Sequence, residues 1–301
     1  MALIGHLCVN KVQMANRTNI IQLALSLRRG AWLIKDPGIL MPAVNAFFNR
    51  QSVTLSPLPE LSLPAYRMSA DGDSAQPSEE EAPTRRVIVI PLHGAMTKYE
   101  TCENYGTAQL AARIERHLSD PSVVGFVLDI DSPGGAVNAV APLVQAIAKI
   151  RAAGKPVIAH CDACYSAAYW VASQCDAVFA DNDLSGFGSI GAYASFLDDR
   201  EDKMTGFKVV TVYAPESKDK NAAYRDALDG KPEKMEKELS RLMRHFYAAL
   251  ASGRPSMKTD ADGVLSGGEF EAEEAINLGM ADGMATIEEC VQNVFVRAEY
   301  M

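Results

Sequence analysis

The stretch Asp129-Ile130-Asp131-Ser132-Pro133-Gly134-Gly135 follows an apolar run, Val123 to Leu128, and precedes a helical pattern that starts near Val137. A strand that enters two adjacent glycines and then a helix leaves backbone N–H groups that no side chain crowds. Such a turn can hold an anion, either a phosphate or the oxyanion of an acyl-transfer intermediate. Downstream, Tyr165-Ser166-Ala167-Ala168-Tyr169-Trp170 follows a second strand and opens a second helix, a spacing that fits a βαβ unit. Ser166 therefore falls at a strand-to-helix junction, with its hydroxyl near the positive end of the helix and only small residues beside it. A serine hydroxyl becomes a useful nucleophile when a base removes its proton. That base is a histidine, or a lysine kept neutral because burial lowers an ammonium pKa from about 10.4. The competing reading is a helix N-cap, a far commoner role for serine.

The elements that must position these residues are legible from residue 86 onward. Val87 to Leu92 is a β-branched run with almost no polar residue, as expected of a strand buried on both faces. Leu110, Ile114 and Leu118 mark one face of a helix. Val123 to Ile130 reads as a strand, and Val137, Val140, Val144 and Ile147 as the next helix. Strands are then expected at Pro156 to Ala159, Ala177 to Ala180, Ile190 to Phe196 and Phe207 to Tyr213, with a helix over Ser166 to Gln174. Met235, Leu239, Leu242, Met243, Phe246 and Leu250 outline a long amphipathic helix, with Pro232 in its first turn. Two more helices are expected, Glu269 to Leu278 and Thr286 to Arg297, the first closed by Gly279. Alternating strands and helices with short connections give an α/β fold with a largely parallel sheet.

The chain has 301 residues, enough for one large domain plus an extension. A net charge of −9 without a basic stripe argues against nucleic acid as a partner. Thr18 to Ile34 is apolar in parts, but Arg28 and Arg29 interrupt it well short of a membrane span, and no basic region opens the chain. A cytoplasmic protein is expected. Residues 1–55 read as an N-terminal helical arm or pro-segment, from the spacing of Ile21, Leu25, Val44, Phe47 and Phe48. Residues 56–85, rich in proline and ending in the acidic run Glu79 to Glu81, read as a flexible linker. Residues 86–301 form the expected catalytic domain.

Cys161-x-x-Cys164 is the one close cysteine pair, and His160 beside it suggests zinc. No second CxxC or HxxxH supplies the remaining ligands, so the pair reads as two small thiols near a strand end, with no metal and no cofactor.

Four pieces occur in order: Asp131-Ser-Pro-Gly-Gly135, Ser166-Ala-Ala-Tyr-Trp170, Gly188-Ser-Ile-Gly191 and Ser217-Lys218-Asp219. Together they resemble the signal peptide peptidase A family of serine peptidases, over roughly residues 86 to 285. The resemblance implies the ClpP/crotonase-like fold, a superhelix of repeated ββα units. The N-terminal arm, the Pro-rich linker and the Ser-Ala-Ala-Tyr-Trp form look most like the phage and prophage branch, whose members process capsid or scaffold proteins. The membrane-anchored branch has glycines where this chain has Ala167 and Ala168. The resemblance implies Ser166 as nucleophile, Lys218 as general base, Ser189 as the residue that orients the lysine amine, and the amides of Gly135 and Ala167 as oxyanion hole. It also implies a protein or peptide substrate and a homo-oligomer, in which a neighbouring subunit can supply the base. Lys220 is the rival base: in an extended segment it points the same way as Lys218. A Ser–His enzyme ranks lower, because residues 167 to 244 contain no histidine and His160 precedes the serine. Other readings are a signal-peptide-degrading peptidase of the same family, a crotonase-type acyl-CoA enzyme, and an inactive capsid-assembly partner.

Overall fold

The computed structural model describes residues 31–34, 63–68, 74–75, 85–101, 104–195 and 211–301. Its centre is a parallel trio: β4 (Arg86–His93), β5 (Val123–Ser132) and β7 (Val157–Tyr165), with β5 in the middle. β4 reads Arg-Val-Ile-Val-Ile-Pro-Leu-His, and its alternate residues enter two different cores. Ile88, Ile90 and Leu92 join Phe126, Leu128 and Ile130 in the large core. That core also takes in α1 (Thr107–Leu118) and α2 (Val140–Ala152), through Leu110, Ile114, Leu143, Ile147 and Ile150. Val87 and Val89 face the other way, with Val127 and Ile158. There they meet Cys290, Val291, Val294 and Phe295 of the C-terminal helix, residues Ile287–Arg297. Burial on both faces explains why Val87 to Leu92 of β4 is continuously apolar instead of alternating.

The sheet forks at β7. The first part of this strand, Ile158 to Cys161, pairs with β8 (Ala177–Ala180). Its last part, Ala163 to Tyr165, pairs with β9 (Gly186–Gly188). Sequence reasoning ended this strand at Ala159; it runs six residues further, because the small residues from Cys161 to Cys164 fit between two neighbours. Cys161 and Cys164 therefore lie inside a strand as buried free thiols. Burial pushes the Cys161 thiol well above the ordinary range, which keeps it protonated and inert. Among the described residues no group of His, Cys, Asp and Glu is arranged to hold a metal ion.

Other expectations change as well. Glu269 to Leu278 is not one helix: Glu269–Glu271 is an edge strand antiparallel to β9, and the helix covers only Ala272–Asn277. The Glu-Phe-Glu triplet has period two, with Phe270 buried between exposed glutamates. Within Ile190 to Phe196 only Tyr193–Ala194 is strand among the described residues; it is β10. Residues 211–213 are not strand, and the rest of the expected Phe207 to Tyr213 element lies outside the described residues.

The segment read as linker contains β2 (Ala65–Met68), which pairs antiparallel with β4, and β3 (Ser74–Ala75), which pairs with β2. Tyr66 packs against the smaller core, which gives this short apolar stretch a reason to order. Within the arm, where the spacing suggests helix, Ala31–Ile34 is a strand, β1. The expected arm helices lie outside the described residues. The long amphipathic helix spans Glu233–Gly253; its burial rises toward the C-terminus, where Phe246 stacks on Trp170 with ring centroids 4.6 Å apart. Just beyond it, Arg254 is 7% exposed and makes a two-pronged ion pair with Asp282, at 2.7 and 2.8 Å. Asp282 in turn accepts from the Val178 amide, which ties the C-terminal segment to β8.

Candidate active site

The Asp131-Ser-Pro-Gly-Gly135 turn is built by its own side chains. Ser132 is fully buried; its hydroxyl donates to the Gly94 carbonyl at 2.6 Å and accepts from the Gly134 amide at 3.2 Å. Gly134 has φ +95°, a conformation that favours glycine. Gly135 is required for another reason: a Cβ there would lie 2.1 Å from the Met96 carbonyl oxygen. Gly134–Ala136 forms β6, held along one edge by Met96: the Met96 amide donates to Gly134 O at 2.8 Å, and the Ala136 amide donates to Met96 O at 2.9 Å. Successive residues of a strand direct their N–H and C=O groups to opposite edges. The amide of Gly135 therefore points away from Met96, to the other edge of the turn.

Ser166 stands at the end of β7, just before α3 (Ala167–Ala172). Its backbone is at φ +53°, ψ −114°, outside the regions that L-residues ordinarily occupy. A β-strand that must stop and enter a helix within one residue forces this turn. The Ser166 amide donates to Gly188 O at 2.8 Å, and its carbonyl accepts from Trp170, so both backbone groups are fixed. Ser166 is not acting as an ordinary N-cap: no side-chain capping bond forms, and its Oγ lies 3.4 Å from the Gly191 carbonyl, a long approach for a hydroxyl donor. A serine on a strained strand-to-helix turn has the form of a nucleophile elbow. Ala167, the first helical residue, has an amide with no intrahelical acceptor.

Among the described residues, the non-glycine positions with positive φ are Ser166, Ser189 and Asn221. Ser189 follows β9, with φ +52°, and its amide donates to Gly268 O at 2.6 Å. Asn221 follows Lys218 by three positions. Such strain costs about 1–3 kcal/mol per residue and collects at functional sites. Asparagine tolerates the left-handed region, so the two serines carry the weight here.

Lys218 and Lys220 are exposed, in a turn that follows a 3-10 element (Pro215–Ser217) and leads into a helix over Ala222–Leu228. The Lys220 amide donates to Ser217 O at 3.0 Å, and Arg225 Nη2 donates to the Lys218 carbonyl at 2.5 Å. This is a turn and not the extended run expected from sequence. Residues two apart on a helical turn do not face the same way, so the two lysines diverge.

His160 and His93 are otherwise engaged. His160 is buried on β7; Nδ1 meets Asp129 Oδ1 at 2.9 Å and Nε2 meets Asp181 Oδ1 at 2.9 Å. His93 Nε2 meets Asp129 Oδ2 at 3.0 Å. Both His160 nitrogens are taken, and six residues of strand separate it from Ser166 by about 20 Å. Sequence reasoning missed this cluster, because strand register alone brings Asp129 opposite His160. Burial lowers the His160 pKa, but the hydrogen bonds to Asp129 and Asp181 outweigh it and the net shift is upward. Burial raises the Asp129 pKa, yet the His160 and His93 bonds bring it far below the usual carboxylate range.

The raised histidine pKa stabilises the fold fully below about pH 6.5, the unfolded value, and that contribution is lost as pH rises through the higher folded value. The depressed Asp129 pKa stabilises above about pH 3.9 and is lost as pH falls through the lower folded value. The Tm advantage of wild type over His160→Gln is therefore expected to shrink as pH rises above about 6.5. A constant difference in thermal melts would show that the charged imidazole is not its source.

The model of peptidase family S49 matches residues 149–299, half of the chain. The chain belongs to peptidase family S49. The matched span includes Ser166, Ser189 and Lys218 and begins after Gly135. The chain is 26% identical over 208 residues to Protease 4 of Salmonella typhi, covering 68% of this chain and 33% of that protein. It is 24% identical over 232 residues to capsid assembly protease C of Escherichia phage lambda, covering 73% of this chain and 51% of that one. It thus spans a third to a half of these relatives. A solved structure of a membrane-bound stomatin-specific protease superposes with a TM-score of 0.42 at 15% identity, over 68% of this chain and 77% of that one. The family bears out the resemblance seen in the motifs, and with it the α/β, ClpP-like fold. No helix among the described residues is long and apolar enough to cross a membrane.

Proposed function

We propose that this S49 family member is a serine endopeptidase that works through a Ser–Lys dyad and an acyl-enzyme, without a cofactor. The observation that carries the reading is the strained Ser166 turn, set behind a glycine strand whose Gly135 amide is directed away from Met96. In this mechanism Ser166 Oγ attacks the peptide carbonyl carbon while Lys218 Nζ takes the hydroxyl proton. The amides of Gly135 and Ala167 hold the resulting oxyanion; removing one such donor typically costs about 3–4 kcal/mol of transition-state stabilisation. Collapse releases the amine, which leaves with the proton from Lys218, and water then repeats the sequence on the ester. Ser189 orients the lysine amine.

The exposed Lys218 turn suits a homo-oligomer in which a second copy covers it and completes the desolvation the base needs. We assign residues 1–55 to an arm, 56–85 to a linker and 86–301 to the peptidase domain. Similarity to the lambda capsid assembly protease supports a capsid or scaffold protein as substrate, cut in the host cytoplasm or within a procapsid.

A fluorophosphonate probe is expected to label the chain at Ser166, as read by peptide mass spectrometry, and not to label Ser166→Ala. Binding of acyl-CoA without labelling would instead favour a crotonase-type enzyme.

A further inference from the structure

β1 does not join the main sheet. It lies between β6 and β10 and is antiparallel to both, so that three strands from distant parts of the chain form a separate small sheet. Leu33 stands opposite Gly135, Ile34 opposite Gly134, and Trp32 opposite both Ala136 and Tyr193. β6 packs against α3, the helix that begins immediately after Ser166. β10 begins two residues after Gly191, whose carbonyl faces Ser166 Oγ. The slot between β6 and β10 is thus bordered on both sides by segments that touch the serine turn.

We infer that this slot is a groove for a peptide in extended conformation, and that the chain's own segment Ala31–Ile34 occupies it as an internal competitor. The inference rests on Ser166 being the nucleophile of the proposed peptidase. The Gly135 N–H and C=O point to the edge where β1 lies, and Leu33 is the residue across from them. An antiparallel pair so oriented exchanges both hydrogen bonds. The Leu33 carbonyl therefore sits where an acyl oxygen must sit to use the Gly135 amide. Ser166 is only 1% exposed, so a substrate reaches it after something leaves. β1 lies across the slot, so it has to leave before another strand can pair with Gly135. Strand addition gives affinity through main-chain bonds, so a tethered segment competes with any extended peptide at the high effective concentration a linker provides.

The test uses the full-length chain and follows Gly135 amide exchange by NMR. Leu33→Pro removes the N–H of the paired residue and disrupts the strand, whereas Leu33→Ala keeps the backbone. Slow exchange is expected in wild type and Leu33→Ala, and exchange at least about tenfold faster in Leu33→Pro, the change that goes with about 1.4 kcal/mol of lost protection. A synthetic peptide of residues 28–37 added to Leu33→Pro should restore slow exchange. Equal exchange in wild type and Leu33→Pro, or no effect of the peptide, overturns the inference. Fluorophosphonate labelling of Ser166 should be faster in Leu33→Pro than in wild type. Labelling in neither chain, with exchange behaving as expected, would overturn the peptidase reading and leave the groove and its occupant standing.

Discussion

Ser166→Ala is expected to lower peptide hydrolysis by at least about 10⁴-fold while leaving the fold intact, because the reaction then depends on direct attack by water, helped only by the oxyanion donors and binding. Alanine keeps the Cβ, so the strained backbone and its amide bond to Gly188 persist, and the hydroxyl gives up no more than its long approach to the Gly191 carbonyl. Ser166→Gly separates strain from chemistry. It should be equally inactive yet more stable than Ser166→Ala by about 1 kcal/mol, since glycine relieves the positive φ while losing more chain entropy on folding. Urea unfolding of the two variants measures this. If glycine is no more stable than alanine, the turn is not strained, and the observation that most supports a nucleophile at this position is lost.

Lys218→Ala is expected to lower hydrolysis by about 10³-fold, within the range for loss of a general base, with Lys220→Ala unchanged. The divergence of the two side chains on the 215–220 turn makes this a clean comparison, which an extended segment would not have allowed. The readout is kcat for a peptide substrate, with Ser166 labelling measured in parallel. An inactive Lys220→Ala beside a normal Lys218→Ala would move the base by two positions. Loss of activity in neither variant would leave the dyad without its second member.

Much of this arrangement is local, and local features are legible in sequence. The central strands are recognisable because parallel strands covered on both faces are apolar throughout, as Val87 to Leu92 is. α1 and the Glu233–Gly253 helix are recognisable because their apolar residues repeat at helical spacing. Where two periods compete over few residues, sequence reasoning fails: Glu-Phe-Glu at 269–271 reads as part of a helix, although its partner is the distant Gly186–Gly188. The serine turn is visible as a junction, but its φ and ψ are not. They come from the demand that β7 pair with β9 up to Tyr165 and a helix begin at Ala167.

The amino-acid order by itself determined the alternation of strand and helix, the glycine turn and the serine that follows the third parallel strand, because each depends on near neighbours. Tertiary structure alone decided which His160 nitrogens are engaged and that Ala31–Ile34 lies opposite Gly135. These are pairings across tens to more than a hundred positions. A main-chain hydrogen bond between strands carries no side-chain signature of its partner, so no local pattern could have announced them.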